Sequence, residues 1–265
     1  MEEGISVNFS LEGRTYVVMG VANKRSIAWG IARSLHAAGA RLIFTVASER
    51  FKKSVEDLAA SLEGVEEPLV YECDVTNDEA IIQTFEEISR DVGTIHGLAH
   101  CIAFANREEL KDEFLNTSRD GFLTAHNISS YSLTAVARAA QPLMTEGGSI
   151  VTLTYLGGEQ VVKNYNVMGV AKASLDASVK YLANDLGKRN IRVNAISAGP
   201  IRTLSAKGVG DFNEIMKVIE ERAPLRRPVT QEEVGDTGYY LMSDLSRGVT
   251  GEVIHVDSGF STVAY

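Results

Sequence analysis

Short apolar runs alternate with helical stretches along the whole 265-residue chain, and this alternation limits the possible folds more than any other feature. The predicted strands are 14–19, 41–46, 69–72, 97–101, 148–154, 191–196 and 252–256. The predicted helices are 27–38, 49–62, 78–92, about 119–144, one after 154, about 205–222 with glycine interruptions, and one opened by a capping box at 230–233 and ending near 243. Because the links are short and no composition shift divides the chain, we predict an α/β fold: a single domain over 1–265, with a parallel sheet covered by helices on both faces.

The composition excludes several classes of protein. A net charge of −9 argues against nucleic acid as the main partner, and the apolar runs are too short to span a membrane. Residues 1–10 are acidic, lack the apolar core of a secretory signal and are predicted to be a loose tail. Cys73 and Cys101 have no CxxC spacing and the histidines form no HExxH, so we expect no metal and a reduced, cytoplasmic protein.

The stretch Thr154–Ser174 follows a predicted strand and carries two tyrosines and a lysine. Tyr165 and Lys172 are seven residues apart, and seven helical steps of about 100° return to nearly the same face. Tyr155 lies at the carboxyl end of the strand, where open α/β sheets bind ligands. An ordinary amphipathic tyrosine and a solvated lysine are the alternative, but the position after a strand favours a shared ligand.

The segment from Gly20 to Gly30 joins the first strand to the first helix, where the pyrophosphate of a dinucleotide meets a helix N-terminus. Its spacing is not GxGxxG. Gly20 allows the backbone to turn, and Ser26 can cap the helix or donate to a phosphate. Taken alone, the segment fits a plain strand–helix turn with a serine cap at least as well.

Three other strand ends carry residues that suit the same ligand. Asp74 could accept a hydrogen bond from an adenine amino group, or it could be a plain turn residue. Ile102 and Ala103 could pack against a ribose or a nicotinamide, and the segment from Pro200 to Thr203 could close the nicotinamide end. Each signal is weak alone, but together they line the carboxyl edge of one sheet.

These motifs resemble the short-chain dehydrogenase/reductase superfamily and, more closely, the bacterial enoyl-acyl-carrier-protein reductases, in particular those of Bacillus and Staphylococcus. The resemblance extends from about residue 8 to 260. Its motifs are Gly20-x5-Ser26-Ile-Ala-x-Gly30, Cys73-Asp-Val75, Ile102-Ala-Phe-Ala105, Tyr155-x9-Tyr165-x6-Lys172 and Ser197-Ala-Gly-Pro-Ile-Arg-Thr-Leu204. The superfamily at large uses Tyr-x3-Lys, a spacing this chain lacks, and the longer spacing indicates the enoyl-reductase branch.

The resemblance implies a Rossmann-type doubly wound fold, conjugate reduction of a trans-2-enoyl thioester on acyl-carrier protein, and a homotetramer. It assigns Tyr165 to the thioester carbonyl, Lys172 to the nicotinamide ribose and Tyr155 to the acyl site. The implied cofactor contacts are Gly20, Ala22, Ser26, Ile27, Ala47, Asp74, Val75, Ile102, Ala103, Lys172, Ile201, Thr203, Leu204 and Ser205. The implied substrate contacts are Ala105, Tyr155, Tyr165, Met168, Ala206, Val209 and Phe212.

The chain departs from the family pattern at three places. Val46-Ala47-Ser48 replaces an expected tyrosine-containing turn, Lys163 replaces a small or neutral residue, and the C-terminus from Ser261 to Tyr265 is unusual. The uncharged Ala47 and Ser48 favour NADH over NADPH, because a 2′-phosphate prefers a nearby cation. Arg50 is the contrary evidence, if it reaches over the ribose rather than into solvent.

The segment of about 204–222 is expected to be a substrate-binding lid, weakened as a helix by Gly208 and Gly210. The basic residues in or beside it are predicted to meet the acidic carrier protein; they are Lys207, Arg222, Arg226 and Arg227.

Two alternative functions remain open. One is a carbonyl reductase acting on ketones or 3-oxoacyl thioesters, and the other is a non-catalytic dinucleotide-binding sensor.

Overall fold

A computed structural model of the chain describes residues 9–203 and 211–263. Its seven strands are β1 Thr15–Met19, β2 Arg41–Val46, β3 Leu69–Glu72, β4 Gly97–His100, β5 Gly148–Thr154, β6 Ile191–Ala198 and β7 Val253–Val256. They form one sheet in the order β3-β2-β1-β4-β5-β6-β7, and every neighbouring pair is parallel. The predicted doubly wound parallel sheet in a single Rossmann-type domain is confirmed.

Helices cover both faces of this sheet. They are α1 Ile27–Ala37, α2 Lys52–Ala59, α3 Asp78–Asp91, α4 Arg119–His126, α5 Ser132–Ala140, α6 Asn166–Gly187, α7 Phe212–Arg222 and α8 Gln231–Met242. Neighbouring residues of a strand point to opposite faces, so Val18 packs with α1, α2 and α8, whereas Val17 packs with α3, α5 and α6. The strands are apolar on both sides because both sides are buried.

Two predicted helices are shorter or more irregular than expected. The predicted helix 49–62 is a 3₁₀ turn, Glu49–Phe51, followed by α2, which stops at Ala59. Just beyond it, the Ser61 hydroxyl donates to the Leu58 carbonyl, a local bond that competes with helix continuation. The predicted helix 119–144 is divided into α4, a π-helical turn at Asn127–Tyr131, and α5.

The N-terminus of α8 confirms the predicted capping box. The Thr230 hydroxyl accepts from the Glu233 amide at 3.2 Å, and the Glu233 carboxylate accepts from the Thr230 amide at 2.8 Å. Helix α8 then crosses α1 at Gly235 and Gly30, where a Cβ at Gly235 would lie 2.5 Å from the Gly30 carbonyl oxygen. None of the helices in the described ranges is long and apolar enough to cross a membrane.

Candidate active site

The strand order reverses direction between β1 and β4, and such a switch point leaves a crevice at the carboxyl ends of the strands. Gly20 follows β1 and Cys101 follows β4. A Cβ at Gly20 would lie 2.0 Å from the Cys101 carbonyl oxygen, and the φ of Gly20 is +92°. Only glycine satisfies both conditions, so the turn predicted at this position is confirmed and the backbone lies open at the crevice.

The loop after Gly20 is organised by the Ser26 side chain. Ser26 is the N-cap residue of α1, yet its side chain makes no capping bond to the helix. Its hydroxyl accepts instead from the amides of Ala22 and Asn23, at 3.0 and 3.1 Å. The helix-cap alternative for Ser26 is therefore wrong, because its hydroxyl accepts from the loop amides, whereas donation of the hydroxyl proton to a phosphate stays a prediction. The backbone amides in the first turn of α1 receive no hydrogen bond from that side chain. They can therefore donate to an anion bound at the helix N-terminus.

A second anchor of this loop was not predicted. The Gln231 amide, in the first turn of α8, donates to the carbonyl oxygens of Lys24 and Ser26. A Cβ at Gly30 would lie 2.6 Å from the Gln231 carbonyl oxygen, so the close approach of the two helices holds this anchor in place. Gln231 lies some two hundred positions along the chain from the loop, and no local motif connects them.

The ends of β2 and β3 form the far side of the crevice. Ala47 is exposed, and the Ser48 hydroxyl is buried without a hydrogen-bond partner. A buried hydroxyl without a partner has a free-energy cost that a ribose hydroxyl bound beside it would remove. The Arg50 guanidinium lies over the Phe51 ring, 4.5 Å from the centroid. In this position it contacts Phe51 rather than extending over Ala47.

Asp74, after β3, has a turn role in the structure. Its Oδ1 accepts from the Thr76 amide at 2.9 Å and from the Thr76 hydroxyl at 2.7 Å. Val75 is buried in the core, so it can meet a ligand only through its backbone. Both residues stand at the carboxyl edge of the sheet, as the sequence placed them.

The segment after β4 carries the predicted ribose and nicotinamide contacts. Ile102 packs partly into the core and Ala103 is exposed. The Ser129 hydroxyl fixes this segment, because it accepts from the Phe104 amide at 2.9 Å and donates to the Phe104 carbonyl at 3.1 Å. Ser129 belongs to the π-helical turn, so this irregularity has a role that helix periodicity could not reveal.

Beyond β6, the described part of the predicted cofactor segment ends at Thr203. Its amide donates to the Ile201 carbonyl at 2.8 Å, which forms a tight turn at the edge of the sheet. The predicted contacts Leu204, Ser205, Ala206 and Val209 lie outside the described residues, as do Lys207, Gly208 and Gly210.

Tyr155 and Tyr165 meet edge to face. Their ring centroids are 4.9 Å apart at an interplanar angle of 77°. Tyr155 directly follows β5, and Tyr165 is the N-cap residue of α6 rather than a residue within the helix. The structure therefore brings the two predicted tyrosines together at the carboxyl end of β5.

Glycines make this contact between the tyrosines possible. A Cβ at Gly157 would lie 2.4 Å from Cδ1 of Tyr165 and 3.4 Å from Cδ1 of Tyr155. A Cβ at Gly169 would lie 2.6 Å from the Gly157 carbonyl oxygen. Neither position was predicted; the available signal for Gly157 was its place in a pair of consecutive glycines, which Leu156 separates from Tyr155.

Lys172 is buried, with 5% of its surface exposed, so the alternative of a solvated lysine is wrong. Its ammonium donates to the Leu153 carbonyl at 2.7 Å, which holds Nζ at the end of β5. Burial lowers the pKa of Lys172 to about 8, against the opposing effect of the Asp176 carboxylate on the next turn of α6.

Tyr165 is a neutral phenol at any pH near 7. Burial and the neighbouring Tyr155 raise its pKa above the usual value of a tyrosine. Its ring packs against a small apolar cluster that includes Leu110, Met168 and Ala105. Three predicted substrate contacts, Ala105, Tyr165 and Met168, thus share one cluster.

The departure at Lys163 makes a specific contact. Its ammonium lies 2.9 Å from the Asp211 carboxylate, which also accepts from the Asn164 side chain at 3.2 Å. Asp211 is the N-cap residue of α7, and Phe212, the next residue, lies beneath the Arg202 guanidinium at 5.7 Å. The loop before Tyr165 is therefore joined to the start of α7.

The chain is similar to known proteins over nearly its whole length. The family model described as "Enoyl-(Acyl carrier protein) reductase" matches residues 20–261. The NADH-dependent enoyl-[acyl-carrier-protein] reductase FabI of Bacillus subtilis is 73% identical, over 97% of this chain and 100% of that protein. The NADPH-dependent FabI of Staphylococcus aureus strain MRSA252 is 64% identical, over 96% of this chain and 99% of that protein.

Solved structures resemble the whole domain. The Bacillus cereus enoyl-acyl carrier protein reductase, in complex with NADP+ and indole naphthyridinone, has a TM-score of 0.94 at 73% identity, covering 96% of this chain and 99% of that chain. The NADH enoyl-[acyl-carrier-protein] reductase of Aquifex aeolicus has a TM-score of 0.92 at 45% identity, covering 96% of this chain and 99% of that chain.

Proposed function

Because this chain belongs to the enoyl-(acyl carrier protein) reductase family, we propose that Tyr165 and Lys172 carry the reduction of a trans-2-enoyl thioester. The chain is an oxidoreductase of fatty-acid biosynthesis that uses a reduced nicotinamide dinucleotide and acts on substrates bound to acyl-carrier protein. The observation that carries the residue assignment is that the carboxyl end of β5 holds both the Tyr155–Tyr165 ring pair and the Lys172 ammonium, which donates to the Leu153 carbonyl.

The crevice fits a dinucleotide. Gly20 lets the chain turn against the Cys101 carbonyl at the switch point, and the Ser48 hydroxyl is buried without a partner where an adenosine ribose would bind. The amides around the start of α1 would hold the pyrophosphate, and Lys172 would hold the nicotinamide ribose. When bound, the reduced nicotinamide supplies the hydride.

Tyr165 and Lys172 stabilise the charge that develops on the substrate. Conjugate reduction moves negative charge to the thioester carbonyl oxygen, and the neutral Tyr165 hydroxyl donates a hydrogen bond to it. One such preorganised donor is worth about 3 kcal/mol in the transition state. The Lys172 ammonium adds positive charge in a dry site, where water screens it little.

A crotonyl thioester and a 3-oxoacyl thioester separate this function from its alternative. We expect oxidation of reduced nicotinamide, followed at 340 nm, with the crotonyl substrate, and the Tyr165→Phe variant should lose about 100-fold in kcat. Faster turnover of the 3-oxoacyl substrate would indicate a carbonyl reductase. Tight dinucleotide binding without turnover of either substrate would indicate a sensor.

We propose a preference for NADH over NADPH. The named relatives use one or the other, so the choice is set by local residues. Ala47 and Ser48 carry no charge, Arg50 lies over Phe51, and Glu49 lies 3.9 Å from Lys52. Measurement of kcat/KM for both cofactors at one ionic strength tests this, and a clear NADPH preference that disappears in Arg50→Ala would contradict it.

We also propose a homotetramer. Helices α4 and α6 pack together and carry exposed apolar side chains, which mark association surfaces. These side chains, with their exposed fractions, are Phe122 at 37%, Leu123 at 58%, Val170 at 38% and Tyr181 at 76%. Sedimentation should give four chains per particle, and Leu123→Glu should reduce that number. A monomeric wild type at micromolar concentration would contradict the proposal.

The lid and the cytoplasmic location remain proposals. The ion pair between Asp211, at the start of α7, and Lys163, in the loop before Tyr165, supports the proposal of a lid. Hydrogen exchange in α7 should slow when cofactor and an acyl-site ligand bind together, and unchanged exchange would count against a lid.

The free thiols of Cys73 and Cys101 support a reducing compartment, which fractionation of cells tests directly.

A further inference from the structure

Helix α6 carries an acidic residue, Asp176, that the proposed reaction has not used. It lies four residues after Lys172, and side chains at this spacing are neighbours on one helix face. Its Oδ1 is buried without a hydrogen-bond partner. A buried carboxylate oxygen without a hydrogen-bond partner has a free-energy cost. Its position on the helix face of Lys172 therefore suggests a role for Asp176.

The surroundings of Asp176 are built closely around it. A Cβ at Gly158 would lie 2.9 Å from Oδ2 of Asp176, so the glycine backbone covers the carboxylate where any side chain would collide. Thr154, the last residue of β5, is 4% exposed, and its hydroxyl also has no partner in hydrogen-bond geometry. The buried Thr154 hydroxyl and the buried Oδ1 atom of the half-buried Asp176 thus lie near the end of the strand whose Leu153 carbonyl holds the Lys172 ammonium.

We propose that Asp176 is a positioning residue for the reaction, whose negative charge keeps the Lys172 ammonium protonated in the dry site. This inference rests on the proposed role of Lys172 toward cofactor and substrate. Asp176 contacts neither the cofactor nor the substrate and acts only through Lys172.

The charges around Lys172 are consistent with this role. Burial lowers the pKa of Lys172 to about 8, and Asp176 is the largest influence that raises it. Burial raises the pKa of Asp176, while Thr154 and Lys172 lower it, and Glu159 and Lys180 act on it in opposite directions. Glu159 is itself paired with His255 at 2.8 Å.

Besides the tyrosines at the end of β5, two further titratable groups that Lys172 influences stand on β4 and directly after it. Burial lowers the pKa of His100 to about 3 and raises that of Cys101 to about 12. Both groups therefore stay neutral where Lys172 titrates. Activity that depends on the ammonium falls as pH rises through about 8, and removal of Asp176 moves that fall to lower pH.

The test is the pH profile of kcat/KM from pH 6.0 to 9.5, with crotonyl thioester and saturating NADH, on the full-length enzyme. We expect the alkaline limb of Asp176→Asn to lie on the order of one pH unit below that of the wild type, and Asp176→Glu to restore it. Asp185→Asn is the matched control, because it removes the same charge from an exposed position on the same helix and should leave the limb in place.

Three outcomes overturn the inference. One is an unmoved limb in a folded, active Asp176→Asn enzyme. Another is an equal shift in Asp185→Asn, which would indicate a general charge effect. The third is a wild-type profile without a limb near pH 8, which would remove the premise about Lys172; turnover of the crotonyl thioester in that same experiment would leave the proposed reaction standing. If Asp176→Asn does not fold, the position of the limb in Asp176→Glu relative to wild type decides.

Discussion

Addition of one methyl group at Gly157 should lower kcat about 100-fold while leaving the enzyme folded. The Cβ of alanine at this position would lie 2.4 Å from Cδ1 of Tyr165. Ordinary carbon contacts lie at about 3.5 Å or more, so the Tyr165 ring must move by about 1 Å. A displacement of that size at a reacting group costs about 100-fold in rate.

The stability cost of Gly157→Ala should be much smaller than its effect on the rate. Gly157 has no positive φ, and Tyr165 is partly exposed, so its ring can shift without a collision in the core. We expect a loss of about 1 kcal/mol, which lowers the Tm by about 2–4 °C in a domain of this size. Gly187→Ala adds the same methyl group at the end of α6, where nothing lies within 4 Å, and should leave kcat unchanged.

The assay is kcat with crotonyl thioester for Gly157→Ala, Tyr165→Phe and the double variant. If Gly157→Ala acts through the Tyr165 hydroxyl, the two losses will not add, and the double variant will resemble Tyr165→Phe. Full additivity would mean that the methyl group acts elsewhere. An unchanged kcat in Gly157→Ala would refute the idea that the observed ring position matters for the reaction.

Three further predictions concern binding and stability. Lys172→Ala should weaken NADH binding about 10- to 100-fold and also lower kcat, because a contact of the ammonium with the ribose is lost; unchanged affinity by calorimetry would remove Lys172 from the cofactor site. Arg226→Glu should raise KM about 5-fold for the carrier-bound substrate but not for a short coenzyme A thioester, and equal effects on both would assign Arg226 to folding alone. Glu233→Gln should lower the Tm at pH 7 by about 2–4 °C, because glutamine can still accept from the Thr230 amide but loses the negative charge that pairs with Arg227 at 2.6 Å. Since Arg227 and the Thr230 amide lower the pKa of Glu233 to about 2 from 4.5, this difference should be complete above pH 4.5 and shrink as pH falls toward 2; a difference independent of pH would assign the effect to side-chain shape.

Much of the fold could be predicted from local pattern alone. The apolar runs that became β2, β3 and β5 begin and end as expected, because a strand buried on both faces needs an uninterrupted apolar run. The capping box at Thr230 and Glu233 was equally predictable, since both of its partners lie within one turn of helix.

The arrangement of the site depends on contacts between distant parts of the chain. The spacing of Tyr165 and Lys172 placed them on one face, but only the packing of α6 against β5 buries the lysine and holds it on the Leu153 carbonyl. The local sequence likewise does not predict which amides donate to the Ser26 hydroxyl, or that Gln231 anchors this loop. Local sequence specifies which residues are apolar or able to cap a helix, whereas the partner of a hydroxyl, an ammonium or an amide depends on which distant backbone groups the folded sheet brings within about 3 Å.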